Sequence, residues 1–174
     1  MFNFKLVGHI DPEPWIGKLK MLPESTWYEY TDRQKKYRHH ALTNSIPLVY
    51  DINIDSNEVK KHKHYDYFST EINQIEDILK SYYGDGVLVR IILVSLFKRS
   101  KIPPHTDGGV SLIKCHRVHI PIITNKDVTF TVNNEKKIMN PGEMWEINNT
   151  LQHAAANNSY EDRIHIIADW DKNE

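Results

Sequence analysis

Residues 87–97 read VLVRIILVSLF and residues 163–170 read RIHIIADW, and these two stretches decide the fold. Both are dense in β-branched and aliphatic residues, and their lengths are typical of buried strands. Three further stretches of the second half predict strands by the same criterion: RVHIPIIT (117–124), VTFTV (128–132) and EMWEIN (143–148). Pairs of proline, glycine and asparagine residues separate these stretches as turns. Several short strands at this spacing predict a sandwich or barrel, in the form of a jelly roll.

The first half of the chain predicts helices and loops. Asp11-Pro-Glu-Pro is typical of a helix start, and apolar residues follow it at helical spacing. A second helix is predicted to begin at a capping Ser69 or Thr70 and to end at Gly84. Its predicted buried stripe is Ile72, Ile75, Leu79 and Tyr82.

Length and composition fit one ordinary domain. The chain has 174 residues, of which 40% are hydrophobic and 26% charged, enough apolar material for a core. We therefore predict a single mainly β (α+β) domain over residues 1–174. It has a mostly helical flank over 1–85 and a double-stranded β-helix core, jelly-roll or cupin-like, over 86–171.

The charge balance and the cysteine count exclude several classes of function. The 22 Lys and Arg residues against 23 Asp and Glu residues give a formal charge of −1, so no electrostatic field favours nucleic acid or an anionic membrane. Cys115 is the single cysteine, which excludes an internal disulfide and a cysteine-based zinc cage. No apolar run has the length of a signal peptide or a membrane span. We expect a cytoplasmic protein without nucleic-acid or membrane partners, and the sequence predicts no oligomeric state.

His105-Thr-Asp107 is the first motif that indicates chemistry. In an extended segment, residues two apart point to the same side, so an imidazole and a carboxylate can bind one ion. By chance about 1.3 His-x-acid triplets are expected from this composition, and the chain has three, so the motif alone has little weight. This triplet, however, follows a long buried strand and precedes two glycines. A distant histidine would complete a two-histidine, one-carboxylate face that leaves open positions on a non-haem Fe(II).

His153 and Arg163, ten positions apart, form the second signal. About 0.34 such pairs are expected by chance, and no other histidine has an arginine at this spacing. A guanidinium can bind the second carboxylate of a metal-chelating dicarboxylate through two parallel hydrogen bonds. Arg117 and His119 share one face of a predicted strand, where they either form a polar outer face or supply donors near a cosubstrate. His165 shares a strand face with Arg163 and either lines the pocket or only fills it. The remaining histidines are read as ordinary residues: His9, His39, His40, His62, His64 and His116.

Four segments together resemble the aspartyl/asparaginyl β-hydroxylase family of Fe(II)- and 2-oxoglutarate-dependent oxygenases. They are HTDGG, RVHIPIITN, NPGEMWEINNTLQHAAANNS and RIHIIADW, in family order between Leu88 and Trp170. The resemblance implies that His105, Asp107 and His153 bind iron and that Arg163 binds the distal carboxylate of 2-oxoglutarate. It also implies that Arg117 and His119 lie near the cosubstrate or the substrate carboxylate.

The same resemblance implies Fe(II), 2-oxoglutarate and O2 as cofactor and cosubstrates, and hydroxylation of an unactivated C–H bond. Vertebrate peptidyl members have glycine where this chain has Asp107, so the chain is more similar to the bacterial branch that includes free proline hydroxylases. We therefore expect a free amino acid or amino-acid-like small molecule as substrate. Two alternatives stay open: hydroxylation of Asp, Asn or Pro residues in a peptide or protein, and a non-catalytic jelly-roll module that binds a metal or a carboxylate.

Overall fold

The computed structural model describes residues 2–53, 55 and 58–172. Within these residues the strands are Phe4–His9 (β1), Thr43–Val49 (β2), Gly86–Leu96 (β3), Ser100–His105 (β4), His116–Ile123 (β5), Val128–Val132 (β6), Glu135–Lys137 (β7), Glu143–Ile147 (β8), His153–Asn157 (β9) and Arg163–Lys172 (β10). The α-helices are Glu13–Met21 (α1), Asp32–Lys36 (α2), Ser69–Tyr83 (α3) and Val110–Lys114 (α4). Short 3₁₀ helices cover Glu24–Tyr28, Arg38–His40 and Asp66–Phe68.

The strands form two antiparallel sheets. The larger sheet has six strands in the order β1-β8-β5-β10-β3-β2, and the smaller has four in the order β4-β9-β6-β7. The two longest predicted strands, β3 and β10, pair along ten positions from Arg163 opposite Leu96 to Lys172 opposite Gly86. Two antiparallel sheets in this arrangement make the predicted double-stranded β-helix, so the predicted fold class is confirmed.

The main core lies between the larger sheet and the helices that cover one of its faces. In that layer the rings of Trp15 and Phe68 are stacked with their centroids 5.1 Å apart, and both side chains are fully buried. Helix α3 adds Ile72, Ile75 and Leu79 to the same core. Burying one such side chain contributes about 1.5–3 kcal/mol. The opposite face of the larger sheet looks toward the smaller sheet, and the candidate site lies on that side.

The boundaries of the helices follow the predicted signals with two exceptions. Asp11 accepts a hydrogen bond from the Glu13 backbone N–H, which fixes the start of α1, and Gly84, at φ 91°, ends α3. Ser69 does not cap α3, because its hydroxyl donates to the carbonyl of Asp66 instead. Tyr82 is not part of the buried stripe and remains 41% exposed, because the stripe of α3 ends at Leu79.

Three strands lie where the sequence predicts helices, loops or a turn. Strands β1 and β2 belong to the first half of the chain, yet they form the two edges of the larger sheet. Strand β4 contains Pro103 and Pro104, which read as a turn in the sequence. It pairs on one side only, with β9, and an edge strand tolerates proline because one row of its N–H groups needs no partner. Among the described residues, no helix is both long enough and apolar enough to cross a membrane.

Candidate active site

The pairing of β4 with β9 brings two predicted ligands face to face. His105, the last residue of β4, is the cross-strand partner of His153, the first residue of β9. The centroids of their imidazole rings are 4.3 Å apart. A register shift between Ile102 and His105 accommodates this pairing at the end of the ladder. Two histidines that are distant in the sequence thus reach one point at the edge of the smaller sheet.

Asp107 completes the trio from the loop after β4. Its carboxylate oxygens lie 3.8 Å from His105 Nε2 and 3.5 Å from His153 Nε2. The backbone N–H of Asp107 donates to the carbonyl of Asn149, which holds this loop against the turn before β9. One donor atom from each of the three side chains lies within 4.8 Å of the others, close enough for one metal ion. The structure thus brings together all three predicted metal ligands.

Backbone carbonyl groups orient both imidazoles. Nδ1 of His105 is 2.9 Å from the carbonyl oxygen of Pro103, and Nδ1 of His153 is 2.9 Å from that of Leu151. Because a carbonyl oxygen only accepts, each Nδ1 carries the hydrogen and each Nε2 lone pair faces the shared point. Burial lowers the pKa of His153, which favours the neutral form that binds metals.

Arg117 holds Asp107 in place. Its Nε and one terminal nitrogen donate to the two oxygens of Asp169 at 2.8 and 2.7 Å, and its other terminal nitrogen donates to Asp107. Asp169 is fully buried and also accepts from Arg90. Burial alone would raise the pKa of Asp107. The positive charge of Arg117 and the two imidazoles have the larger combined effect, so the pKa lies below its ordinary value. The carboxylate is therefore ionised and ready to bind a cation.

Arg163 lies behind the histidines as a buried cation. It is 2% exposed, and it forms no ion pair with any residue that the structure describes. Its Nε has no hydrogen-bond partner there either. Burial lowers the pKa of its guanidinium to about 9. A buried charge without a counter-ion is costly unless a ligand supplies one.

The loop that leads from His153 to Arg163 is fixed by Asn157. The side-chain amide nitrogen of this fully buried residue donates to three carbonyl groups, those of Leu96, Phe97 and Glu161. Its oxygen accepts from the backbone and the hydroxyl of Ser159. In the sequence, the pair Asn157-Asn158 is typical of a turn. In the structure Asn157 ties the end of β9 to the end of β3 and to the start of β10.

Two cavities meet at Asp107. The outer cavity has a volume of about 210 Å³, and its lining includes Asp107, Arg117, Thr106 and the helical-half residues Arg33 and Tyr37. The inner cavity runs between the sheets and is much smaller, about 30 Å³. Its lining includes His105, His153, Arg163, His119 and Phe130. A ligand of more than a few atoms enters the inner cavity only if these side chains move apart.

His119 lines the inner cavity. This position agrees with the interpretation that it supplies a donor near a cosubstrate, and not with a polar outer face. It is 6% exposed, and its ring packs against Phe130 with the centroids 4.7 Å apart. Its Nδ1 has no partner among the described residues. Arg117 reaches the site as well, and three of its five N–H groups donate to Asp107 and Asp169. Contact of either residue with a cosubstrate stays a prediction.

Three site residues were not predicted from the sequence: Arg33, His39 and His40. The ring of His39 stacks on that of His105 with centroids 4.1 Å apart, and His40 lines both cavities. Both histidines thus lie at the candidate site, a position that their interpretation as ordinary residues does not include. The surrounding TDRQKKYRHH is strongly charged and resembles a solvated segment, so no sequence signal marks them. Cys115, by contrast, lies outside the site and is buried, and burial raises the pKa of its thiol to about 12.

Comparison with known proteins identifies the family. The model of the aspartyl/asparaginyl beta-hydroxylase family matches residues 24–173, which is most of the chain. The chain belongs to this family. It is therefore an Fe(II)- and 2-oxoglutarate-dependent oxygenase of the hydroxylase type, and it uses O2, as its resemblance to the family implied. No curated protein sequence matches this hydroxylase.

Solved structures share the fold of the hydroxylase at low sequence identity. An oxidoreductase of the 2OG-Fe(II) oxygenase family from Burkholderia pseudomallei has a TM-score of 0.62 and 10% identity, with 95% of this chain and 92% of that chain covered. A prolyl-4-hydroxylase from Pseudomonas putida has a TM-score of 0.52 and 7% identity, with 99% and 94% covered. The non-heme monooxygenase ThoJ, in a nickel complex, has a TM-score of 0.54 and 14% identity, with 99% and 73% covered.

The donors of the site fit the groups that this family uses. Two neutral imidazoles and one carboxylate are the ligand set typical of non-haem Fe(II), and they leave coordination positions open. The unpaired guanidinium of Arg163 fits one end of a dicarboxylate such as 2-oxoglutarate. The narrow inner cavity adds a condition, because its lining side chains must shift to admit the cosubstrate.

Proposed function

We propose that His105, Asp107 and His153 hold the Fe(II) of this hydroxylase, and that the substrate is a free amino acid or an amino-acid-like small molecule. The observation that carries the proposal is the convergence of these three side chains within 4.8 Å, with the unpaired Arg163 beside them. In this proposal the first half of the chain belongs to the same single domain, because β1 and β2 pair within the larger sheet. The predicted cytoplasmic location is part of the proposal as well.

Each protein ligand has a separate reason to bind the metal. The imidazoles of His105 and His153 turn Nε2 toward the site because backbone carbonyls accept from Nδ1. The carboxylate of Asp107 is held by Arg117, which donates to it from one side and is itself fixed by Asp169. Outer contacts of this kind fix the orientation of metal ligands, and their loss commonly reduces metal affinity 10- to 100-fold.

Arg163 is proposed to bind the distal carboxylate of 2-oxoglutarate. Its charge is buried and has no carboxylate partner among the described residues, so an anionic ligand would complete the site. The planar guanidinium offers two parallel donors to a carboxylate. His119, beside Phe130 in the same cavity, is proposed to lie near the cosubstrate as a further donor.

The residues of the chain orient the reactants and exclude water, and the bound groups perform the oxidation. When bound, Fe(II), 2-oxoglutarate and O2 supply the chemistry, in which 2-oxoglutarate is converted to succinate and CO2 as a C–H bond is hydroxylated. The apolar side chains Ile102, Phe130 and Ile167 line the cavities beside the proposed ligands. They keep water away from the site and leave the ligand-holding groups as its polar part.

The size of the outer cavity supports a small substrate. Its volume of about 210 Å³ is below the ≈300–1,000 Å³ typical of pockets for drug-sized ligands. It opens beside Asp107, so a small molecule bound there would lie next to the metal. A peptide would have to place one side chain in this cavity and leave the rest of the chain outside.

The test is succinate formation with Fe(II), 2-oxoglutarate and O2 across the twenty free amino acids and a set of Asp, Asn and Pro peptides. We expect at least one free amino acid to give succinate and a product 16 mass units heavier in equal amounts, an estimate from the addition of one oxygen atom. Omission of Fe(II) should abolish both. Coupled turnover with peptides alone would contradict the proposed substrate class. Absence of coupled turnover with every member of the panel would contradict the substrate class and the proposed metal site.

A further inference from the structure

Two arginines near the site are buried without a carboxylate partner, and the proposed function uses only one of them. Arg163 is assigned to the cosubstrate. The other is Arg33, which is 7% exposed and forms no ion pair with any residue in the described part of the chain. One of its terminal nitrogens lacks any hydrogen-bond partner there. Arg33 lines both the outer and the inner cavity, so its guanidinium lies next to the proposed metal site.

The neighbouring arginines Arg117 and Arg90, unlike Arg33, donate hydrogen bonds to carboxylates. Arg117 donates to both oxygens of Asp169 and to Asp107, and Arg90 also donates to Asp169. The two carboxylates of the site are thus already taken. Fe(II) and doubly ionised 2-oxoglutarate carry equal and opposite charges, so their binding leaves the positive charge of Arg33 uncompensated. The substrate is the remaining component that can supply an anion.

The residue directly after α2 supplies a second donor to the outer cavity. This residue is Tyr37, and its backbone N–H donates to the carbonyl of Arg33 at 3.0 Å. The Tyr37 hydroxyl is buried without a hydrogen-bond partner among the described residues, and Tyr37 also lines the outer cavity. A guanidinium and a phenol hydroxyl together present several donors and a positive charge, which is the complement of a carboxylate.

We propose that Arg33, assisted by Tyr37, binds the carboxylate of a free amino acid substrate in the outer cavity. This inference rests on the proposed function and deepens it, because it names the group that the enzyme recognises. A residue within a peptide chain has no free α-carboxylate, so Arg33 selects free amino acids over internal residues. The side-chain carboxylate of a peptide aspartate is the other source of this chemistry, and the experiment separates the two.

The experiment is anaerobic binding, measured by calorimetry on protein loaded with Fe(II) and 2-oxoglutarate. The probes are the twenty free L-amino acids, their C-terminal amides, and an aspartate-containing peptide blocked at both ends. The proteins are wild type, Arg33→Met, Arg163→Met and the matched control Arg38→Met, which replaces an exposed arginine of the next turn. Methionine fills a similar volume, and removal of a buried unpaired charge is often neutral or stabilising, so Arg33→Met should fold.

We expect at least one free amino acid to bind the wild type and its amide to bind at least roughly 10-fold more weakly. Arg33→Met should weaken binding of that amino acid roughly 10- to 100-fold, the range for lost hydrogen bonds to a charged group. Arg38→Met should bind it as the wild type does. The affinity for 2-oxoglutarate should change less than roughly 2-fold in Arg33→Met and fall roughly 10- to 100-fold in Arg163→Met.

Three results would overturn the inference: equal binding of acids and amides, equal binding by wild type and Arg33→Met, or no binding of any amino acid. Binding of the blocked aspartyl peptide that depends on Arg33 would assign this arginine to a peptide carboxylate and overturn the free amino acid as its ligand. Failure of the proposed function would be distinguishable from failure of this inference, because the wild type itself would then not bind 2-oxoglutarate.

Discussion

His105 and His153 are direct cross-strand partners, and each uses Nδ1 to donate to a carbonyl two residues earlier in its own chain segment. The same local geometry therefore orients both imidazoles, once at the end of β4 and once at the start of β9. Side chains alternate between the faces of a strand, so a slip of one residue in this pairing would turn one ring away from the site. The register of the smaller sheet is thus a condition for the proposed metal site.

Substitution of either histidine should remove the metal site. We expect His153→Ala to weaken Fe(II) binding by more than roughly 100-fold, the upper end of the loss seen when only an outer contact is removed. The measurement is the visible charge-transfer absorption of anaerobic protein with Fe(II) and 2-oxoglutarate. The control is His9→Ala, which replaces an exposed histidine of β1. A band of wild-type intensity in His153→Ala would exclude this residue as a ligand.

Asp107→Ala should weaken metal binding without unfolding the protein. Arg117 keeps its two hydrogen bonds to Asp169 in this variant, so no buried cation loses its last partner. We expect Fe(II) affinity to fall roughly 10-fold or more by calorimetry, with little change in thermal midpoint. Asp66→Ala, which removes the exposed carboxylate of the triplet His64-Tyr65-Asp66, is the matched control. Unchanged turnover in Asp107→Ala would mean that two histidines suffice for this enzyme.

Arg163→Met should affect the cosubstrate and spare the metal. The variant loses a charge-assisted contact but no metal ligand, so the 2-oxoglutarate dissociation constant should rise roughly 10- to 100-fold. Fe(II) affinity measured without cosubstrate should stay within about 3-fold of the wild type, since outer contacts of the three ligands are intact. If iron binding falls and 2-oxoglutarate binding does not, the role proposed for Arg163 is wrong.

Arg117→Lys tests whether the shape of the guanidinium matters, as well as its charge. An ammonium group cannot donate in parallel to Asp169 and reach Asp107 at the same time. We expect Fe(II) affinity to fall roughly 10-fold because Asp107 is held less firmly. Calorimetry with Fe(II) and a thermal melt of the same sample are the measurements. Wild-type metal affinity in a folded Arg117→Lys would show that charge alone suffices.

Acid should destabilise the metal-free protein. Burial lowers the pKa of His119 and His165 well below 6.5, so both stay neutral in the folded state while the unfolded chain binds protons below pH 6.5. Stability is therefore full above pH 6.5 and falls as the pH drops below it. Each histidine costs at most about 1.4 kcal/mol per pH unit in that range.

The measurement is urea unfolding in the presence of EDTA at pH 7.5 and 5.5. We expect the two histidines together to reduce the free energy of unfolding by about 3 kcal/mol between these values. His165→Phe should show about half of this histidine contribution, because its replacement cannot take up a proton. An identical pH dependence in the variant and the wild type would contradict the buried neutral state of His165.

The fold was predictable where the local pattern and the tertiary environment agree. Strands β3 and β10 are long and rich in β-branched and aliphatic residues because they lie in the interior of the larger sheet, so the sequence marks them clearly. Strands β1 and β2 lie at its edges, where one side needs no partner and the sequence pattern is weaker. Pro103 and Pro104 predict a turn by the same local logic, and only the edge position of β4 explains why they fit a strand.

The site was predictable where chemistry imposes a spacing. His105, Asp107, His153 and Arg163 lie in strands or directly after them, so the short spacings from His105 to Asp107 and from His153 to Arg163 follow from strand and loop geometry. Arg33 and His39 reach the site through a short helix and a turn, and their neighbours are exposed charged residues. No periodicity distinguishes a buried arginine in such a segment from a solvated one, because its burial depends on what the sheet places over it.

The hydrogen bonds of Asn157 hold the segment between β9 and β10 in a fixed position. Five hydrogen bonds to one amide side chain set how far Arg163 lies from His153, and an insertion or deletion in this segment would change that distance. Arg163 is proposed to bind one end of 2-oxoglutarate, so a fixed position of this residue should favour a diacid of one length. We expect oxaloacetate, which is one carbon shorter, to bind more weakly than 2-oxoglutarate in anaerobic calorimetry.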